Sequence, residues 1–234
     1  MKMKPEIGAP VRSTNTLTDI RYYLLHKPLY KTLVEHHDAD TRATHDKSIL
    51  QRTGIDVENY KMLNLHGIGI EAPASFVFNE LLGWNGDSIC WPNHIARVSL
   101  QDNKLEQIKI YLFGISKRFL GLNLFHLFDL SSIRIQRVPA DSDLDNARYL
   151  LYECKGGYPI GVFSMYVRSS IPERDEKEMS QLFMMVGFNF YGKKRKRLNL
   201  INRIWEGIHN RVTANVLNRL KQLCEWKFEN YVNE

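Results

Sequence analysis

His209 stands beside Ile208 at the edge of an apolar helical stripe, where an imidazole would offer a bound molecule a polar handle or a general base. A base of that kind needs a facing acid or base. Glu153, Tyr166 and Arg168 serve only if strand alternation turns them inward, and the bland alternative for His209 is a structural histidine with satisfied hydrogen bonds. Two other groupings suggest chemistry and fail on spacing. His36 and His37, with Glu35, Asp38, Asp40 and His45 nearby, resemble metal ligands, but neighbours on a helix diverge by roughly 100 degrees and no ligand spacing repeats. They read as a polar helix end in water. Cys90 and His94 pair a nucleophile with a base, yet Trp91 and Pro92 between them belong to a structural stretch. No catalytic residue and no metal ligand is assigned. The chain has no Gly-rich phosphate loop, Walker pattern or Rossmann fingerprint, so no cofactor is expected.

Charge is concentrated in one place. Lys193, Lys194, Arg195, Lys196 and Arg197 run together between the last strand-like segment and the terminal helix. Near an anionic membrane each would contribute about 1 kcal/mol, whereas in water the run is simply a solvated turn. Its position at a helix N-terminus opposes the helix dipole, which favours a partner such as an anionic membrane surface. No aromatic residue is interleaved, which argues against nucleic acid. The net charge of +6 and pI near 9.1 agree with an anionic contact, and nothing specifies an oligomer.

The 234 residues suit one large domain, or one domain with an extension, and a chain of that size buries well over half of its unfolded surface. With 25% charged, 44% apolar and 11% aromatic residues the balance is globular. The first ten residues carry no apolar stretch that would serve in secretion, and the apolar-rich segments 105–130 and 182–191 are interrupted before the roughly 18 residues of a membrane span. A soluble, cytoplasmic protein is expected. Three widely spaced cysteines, Cys90, Cys154 and Cys224, fit neither a disulfide framework nor paired zinc ligands and read as reduced thiols.

The elements that must position these residues follow from periodicity. Residues 16–37 carry Leu17, Ile20, Leu24, Leu33 and Val34 at helical spacing, with Thr16 and Asp19 as a capping box and Pro28 splitting the run into two short helices. Residues 1–60 are thus a helical N-terminal extension. From Lys61 a strand-like run reaches Ile70, and Pro73 then opens a helix over 74–82 that ends at Gly83. Strands follow at 96–100, 105–113, 124–138, 149–154, 160–169 and 179–191, divided by turn signals and with no helix between them. Short connections between consecutive strands imply an antiparallel meander. The last segment, 198–231, repeats apolar residues every three or four positions, and its Arg203, Arg211, Arg219 and Lys221 fall outside that stripe. One face should lie on the sheet and the other in water.

This order of strand, helix, six-strand meander and long terminal helix resembles the helix-grip fold of the START and polyketide-cyclase superfamily, also called SRPBCC. The segment Gly69-Ile70-Glu71-Ala72-Pro73-Ala74-Ser75-Phe76-Val77-Phe78 looks like the superfamily's opening I-x-A-P-x-x-x-V-[FW], and Trp91-Pro92-Asn93-His94-Ile95-Ala96-Arg97-Val98 resembles the stretch entering its second strand. The resemblance covers residues 61 to the C-terminus and implies an α+β domain at 61–234, a curved seven-stranded antiparallel sheet wrapped around the terminal helix. Members of the superfamily include lipid carriers, hormone receptors, aromatases and cyclases, so the resemblance implies a cavity more than a reaction.

A bent sheet cannot close on a straight helix along its whole length, so a cavity is expected unless large side chains fill it. Tyr152, Phe163, Tyr166, Met184, Phe188 and Phe190 on the later strands, with Trp205, Ile208, His209 and Val212 on the helix, are the candidate lining, or else ordinary core. The expected function is carriage or sensing of a hydrophobic small molecule or lipid. The alternatives are a cyclase-like or aromatase-like enzyme in the same cavity, and an interaction module built on the cationic run.

Overall fold

The computed structural model describes residues 17, 21, 24–38, 62–82, 96–101, 104–112, 118–136, 148–155, 160–170, 180–188 and 199–232. Among these lie strands β1 (Leu33–Asp38) and β2 (Met62–Ile70), helix α1 (Ala74–Leu82), strands β3 (Ala96–Gln101), β4 (Lys104–Leu112), β5 (His126–Gln136), β6 (Arg148–Lys155), β7 (Ile160–Ser169) and β8 (Ser180–Phe188), and helix α2 (Asn199–Val232). The strands form one antiparallel sheet in the order β1-β2-β8-β7-β6-β5-β4-β3. Strands β3 to β8 are the meander that their short connections require, and β2 closes onto β8 from Met62↔Phe188 to Ile70↔Ser180. With α1 and the 34-residue α2 on one side, this is the helix-grip arrangement.

All seven expected strands are present, and the sheet gains an eighth. Residues 33–37, expected to be helical, are the extended strand β1, paired with β2 from Leu33↔His66 to Asp38↔Met62. Among the described residues of the extension, helix is found upstream, at Leu17, Arg21, Leu24 and Leu25. Pro28 interrupts the helical run, and the backbone groups beyond it find partners on the open edge of β2, starting with the Gly67 amide donating to the Thr32 carbonyl at 2.7 Å. Tertiary pairing overrides local periodicity here. His36 and His37 accordingly lie on a strand and not at a helix end.

At β2, β7 and β8 the sheet is buried on both sides. On the helix side Ile68, Ile70, Ile108, Ile110, Leu130, Phe163, Met165 and Val167 join Val77 and Phe78 of α1 and Val216, Leu217 and Leu220 of α2 in one apolar cluster. Alternation then puts Leu63, Leu65, Val162, Ser164, Tyr166, Phe183 and Met185 on the outer side, and these too are buried. Gly67 belongs to that outer layer. A Cβ there would stand 2.9 Å from two carbons of the Phe183 ring and 3.0 Å from Val34 Cγ2. Gly67→Ala is therefore expected to lower the unfolding free energy by about 1–3 kcal/mol in urea titrations, with most of the loss restored by adding Phe183→Leu.

Helix α2 leaves only part of its second face in water: Arg203 and Arg211 are exposed and Arg219 is half-buried, but further along the helix that face is covered. Asn215 Nδ2 donates to the His26 carbonyl at 3.1 Å, the Tyr30 amide donates to Asn218 Oδ1 at 2.9 Å, and Asn218 Nδ2 returns a bond to the Tyr30 carbonyl at 3.1 Å. The N-terminal extension thus straps across the helix. Lys221, expected in solvent, is buried: its ammonium donates to the Gly69 carbonyl at 2.8 Å and lies 5.3 Å from the centre of the Tyr30 ring. Its charge is neutralised by Glu225 one turn on.

Candidate functional site

Strand alternation turns Asn64, His66, Ile68 and Ile70 of β2 toward α2. The first two meet Glu206 and Asn210, which a spacing of four residues stacks on one face of the helix. Asn64 Nδ2 donates to Asn210 Oδ1 at 2.8 Å and to Glu206 Oε1 at 3.0 Å. His66 Nε2 lies 3.0 Å from the same Asn210 oxygen, and His66 Nδ1 lies 2.9 Å from the Thr32 hydroxyl. An amide oxygen only accepts, so the Nε2–H is the donor to Asn210 Oδ1, and with the ring kept neutral by burial Nδ1 accepts from the Thr32 hydroxyl. That is a neutral imidazole in a single tautomer. Burial holds the His66 pKa below the usual histidine value, partly opposed by the bond to Asn210.

The polar corner continues into an apolar wall on the same side of the sheet. In register, His66 stands beside Met184 and Met184 beside Met165, while Asn64 stands beside Val186, then Phe163, then Tyr152. The Tyr152 and Phe163 rings lie 6.1 Å apart at 30°. Ile108, Ile110 and Leu130 extend this surface across β4 and β5, beyond the strands against which α2 is packed. A carboxylate, two amides and a neutral imidazole thus border a wall of aromatic rings and thioethers. Such a surface suits a molecule that is apolar along most of its length and polar at one end.

The sequence-derived lining divides. Tyr152, Phe163 and Met184 come together on the helix side, and Trp205 and Val212 pack half-buried against the same cluster. Phe188 closes β8, opposite Met62 and Ile160 in register. Tyr166 is on the other side of the sheet, 5.8 Å from the Phe183 ring, because it alternates with Phe163, Met165 and Val167. Ile208 is 42% exposed, on the first half of α2, where the apolar periodicity outruns the contact with the sheet. Phe190, Cys90, His94 and the run Lys193, Lys194, Arg195, Lys196 and Arg197 lie outside the described residues.

His209 packs its ring 4.5 Å from that of Trp205, one helical turn away, and burial lowers its pKa to about 4. It is neutral at neutral pH. None of the three partners considered for it faces the helices. Glu153 is exposed next to the buried Tyr152, and Arg168 Nε donates to Gln181 Oε1 at 2.8 Å with its guanidinium 5.2 Å from the Phe183 ring centre, on the outer side.

Asn64, His66, Glu206 and Asn210 escaped the sequence reading. Two signals marked them: a polar pair at alternate positions in an otherwise apolar strand, and a Glu and Asn one turn apart on a helix.

No protein-family model and no curated protein matches the chain. Similar solved structures include the Zhui aromatase/cyclase from a Streptomyces species, at 17% identity over 73% of this chain and 94% of that one, with a TM-score of 0.43. A conserved protein from Geobacillus kaustophilus is similar at 13% identity over 70% and 96%, TM-score 0.41. A START superfamily protein from Mycobacterium smegmatis is similar at 11% identity over 72% and 98%, TM-score 0.39. No described helix is long and apolar enough to cross a membrane.

Proposed function

We propose that the chain binds a mainly apolar small molecule or lipid on the helix side of its sheet, in the cytoplasm. The hydrocarbon body lies along Tyr152, Phe163, Met165 and Met184, and a hydroxyl, amide or amine at one end meets Asn64, Asn210 and Glu206. The observation that carries this reading is the adjacency of polar corner and apolar wall, joined by the register pairs His66↔Met184 and Asn64↔Val186. Neither part alone specifies a ligand. Residues 26–32 serve as a strap that holds α2 over the site, since Thr32 belongs to the polar network and His26 and Tyr30 are bonded to α2. Carriage or sensing fits better than catalysis, because the acid and base groups proposed around His209 stand on the other side of the sheet.

Native mass spectrometry and thermal melting with fatty acids, phospholipids, isoprenoids and polyketides test the reading. A ligand at a hundredfold excess over its Kd is expected to stabilise the fold by about 2.7 kcal/mol. Met184→Trp, which fills the middle of the wall, is expected to abolish that stabilisation while the folded far-ultraviolet spectrum persists. Absence of any copurifying or stabilising apolar compound contradicts the proposal.

A further inference from the structure

We infer that the turn at residues 118–124, between β4 and β5, is a docking tip that seats this chain in the interface of an anionic lipid bilayer. Phe119 and Leu122 exchange both backbone hydrogen bonds, the Phe119 amide to the Leu122 carbonyl at 3.0 Å and the reverse at 2.9 Å. Between them Leu120 has φ of 49° and Gly121 of 78°, both positive, as in a two-residue type I′ turn. Asn or Gly occupies the first of these positions at little cost, whereas a leucine there is strained. The strained leucine is also the most exposed large apolar side chain described, at 87%. Phe119, Leu122 and Leu124 beside it are each at least 61% exposed.

Single exposed apolar residues are ordinary on a protein surface, but four within six consecutive positions are not. The geometry favours lipid. Phe119, Leu122, Asn123 and His126 use each other's backbone groups, the last through the His126 amide donating to the Asn123 carbonyl at 3.0 Å. Pairing the backbone groups of Phe119 and Leu122 lowers the cost of bringing the turn to the boundary between headgroups and acyl chains. Exposed Arg118 flanks the apolar tip and follows Lys117 in the sequence, on a chain of net charge +6, so anionic headgroups complement the base of the tip. An exposed apolar turn beside Arg118 needs no shape-matched groove when the receiving phase is fluid. At its root the turn is braced by the His126 ring, 2.8 Å from the Asp129 carboxylate and 5.5 Å from the Tyr111 ring. The inference does not rest on the ligand site, and vesicle binding reads it without a ligand.

The test is sedimentation of the full chain with phosphatidylcholine vesicles prepared with and without phosphatidylserine. The wild type is expected to sediment with the anionic vesicles and to be released by salt. Leu120→Asn is expected to lower the partition about tenfold, the loss of one inserted leucine, while its melting temperature holds or rises because Asn accepts the positive φ. Ile204→Asn, which alters an exposed apolar residue elsewhere, is expected to leave the partition unchanged. Three results overturn the inference: a wild type that sediments with neither vesicle, a Leu120→Asn variant that sediments like the wild type, or self-association abolished by that variant without vesicle binding. The last would assign the tip to a second copy of the chain.

Discussion

Lys221→Met is expected to lower the unfolding free energy by about 3–5 kcal/mol, shifting the urea midpoint with little change in slope. Lys221 and Glu225 are each 8% exposed and form an ion pair one turn apart on α2. Each end has a second anchor on the chain that leads from β2 to α1. The ammonium donates to the Gly69 carbonyl, and the Glu71 amide donates to Glu225 Oε1 at 2.8 Å. Removing the lysine leaves a buried carboxylate with one backbone donor and leaves the Gly69 carbonyl without that ammonium. Glu225→Gln should cost less, because its side-chain oxygen still accepts from Glu71. The pair Lys227–Glu80 is the internal contrast, since its side chains are 41% and 27% exposed. Lys227→Met is expected to change stability by about 0–1 kcal/mol, because solvent already screens that pair. Equal losses for the two lysine variants would contradict the burial of Lys221.

Acid is expected to unfold the protein from below about pH 6.5, earlier than its carboxylates require. His66 and His209 both have pKa values pushed below the ordinary 6.5, chiefly by burial, His209 to about 4. Between the unfolded value and the depressed folded value, the unfolded chain binds protons that the folded chain refuses. Stability from keeping the rings neutral is therefore full above pH 6.5 and is lost as pH falls toward 4. For His209 the shift corresponds to up to about 3 kcal/mol across that window. Urea titrations at a series of pH values read the slope. His209→Phe, which keeps a ring against Trp205, should flatten it by the His209 share, and the remainder should depend on His66. A wild-type profile that is flat from neutral pH to about pH 4 would contradict the neutral, buried imidazoles.

The seven strands and both helices of the domain were legible because turn chemistry bounds them and because the apolar repeat of α2 comes every three or four residues. What was hidden lies where both sides of an element are covered. In β7 the run Phe163, Ser164, Met165, Tyr166 and Val167 is buried throughout, so hydrophobicity carried no record of which side faced the helices, and Tyr166 was assigned to the wrong one. Asn64 and His66 were obscured in the same way by Leu63 and Leu65, whose burial belongs to the outer layer. Helix α2 repeats the lesson. Asn215, Asn218, Lys221 and Glu225 look like solvated residues, yet the N-terminal strap, β2 and its link to α1 bury them, and a strap far away in sequence leaves no periodic mark on the helix it covers.

Position in the two layers also supplies the sharpest test of ligand binding. Met165 and Met184 stand on the helix side, and Met185, the next residue along β8, stands on the outer side. In a chain with its methionine methyl groups labelled with carbon-13, assigned by single substitutions, titration with an apolar compound that raises the melting temperature is expected to move the Met165 and Met184 resonances and leave Met185 in place. Saturation of the melting shift with Met165 and Met184 unmoved, or with Met185 moving alone, would contradict binding against the helix side of the sheet.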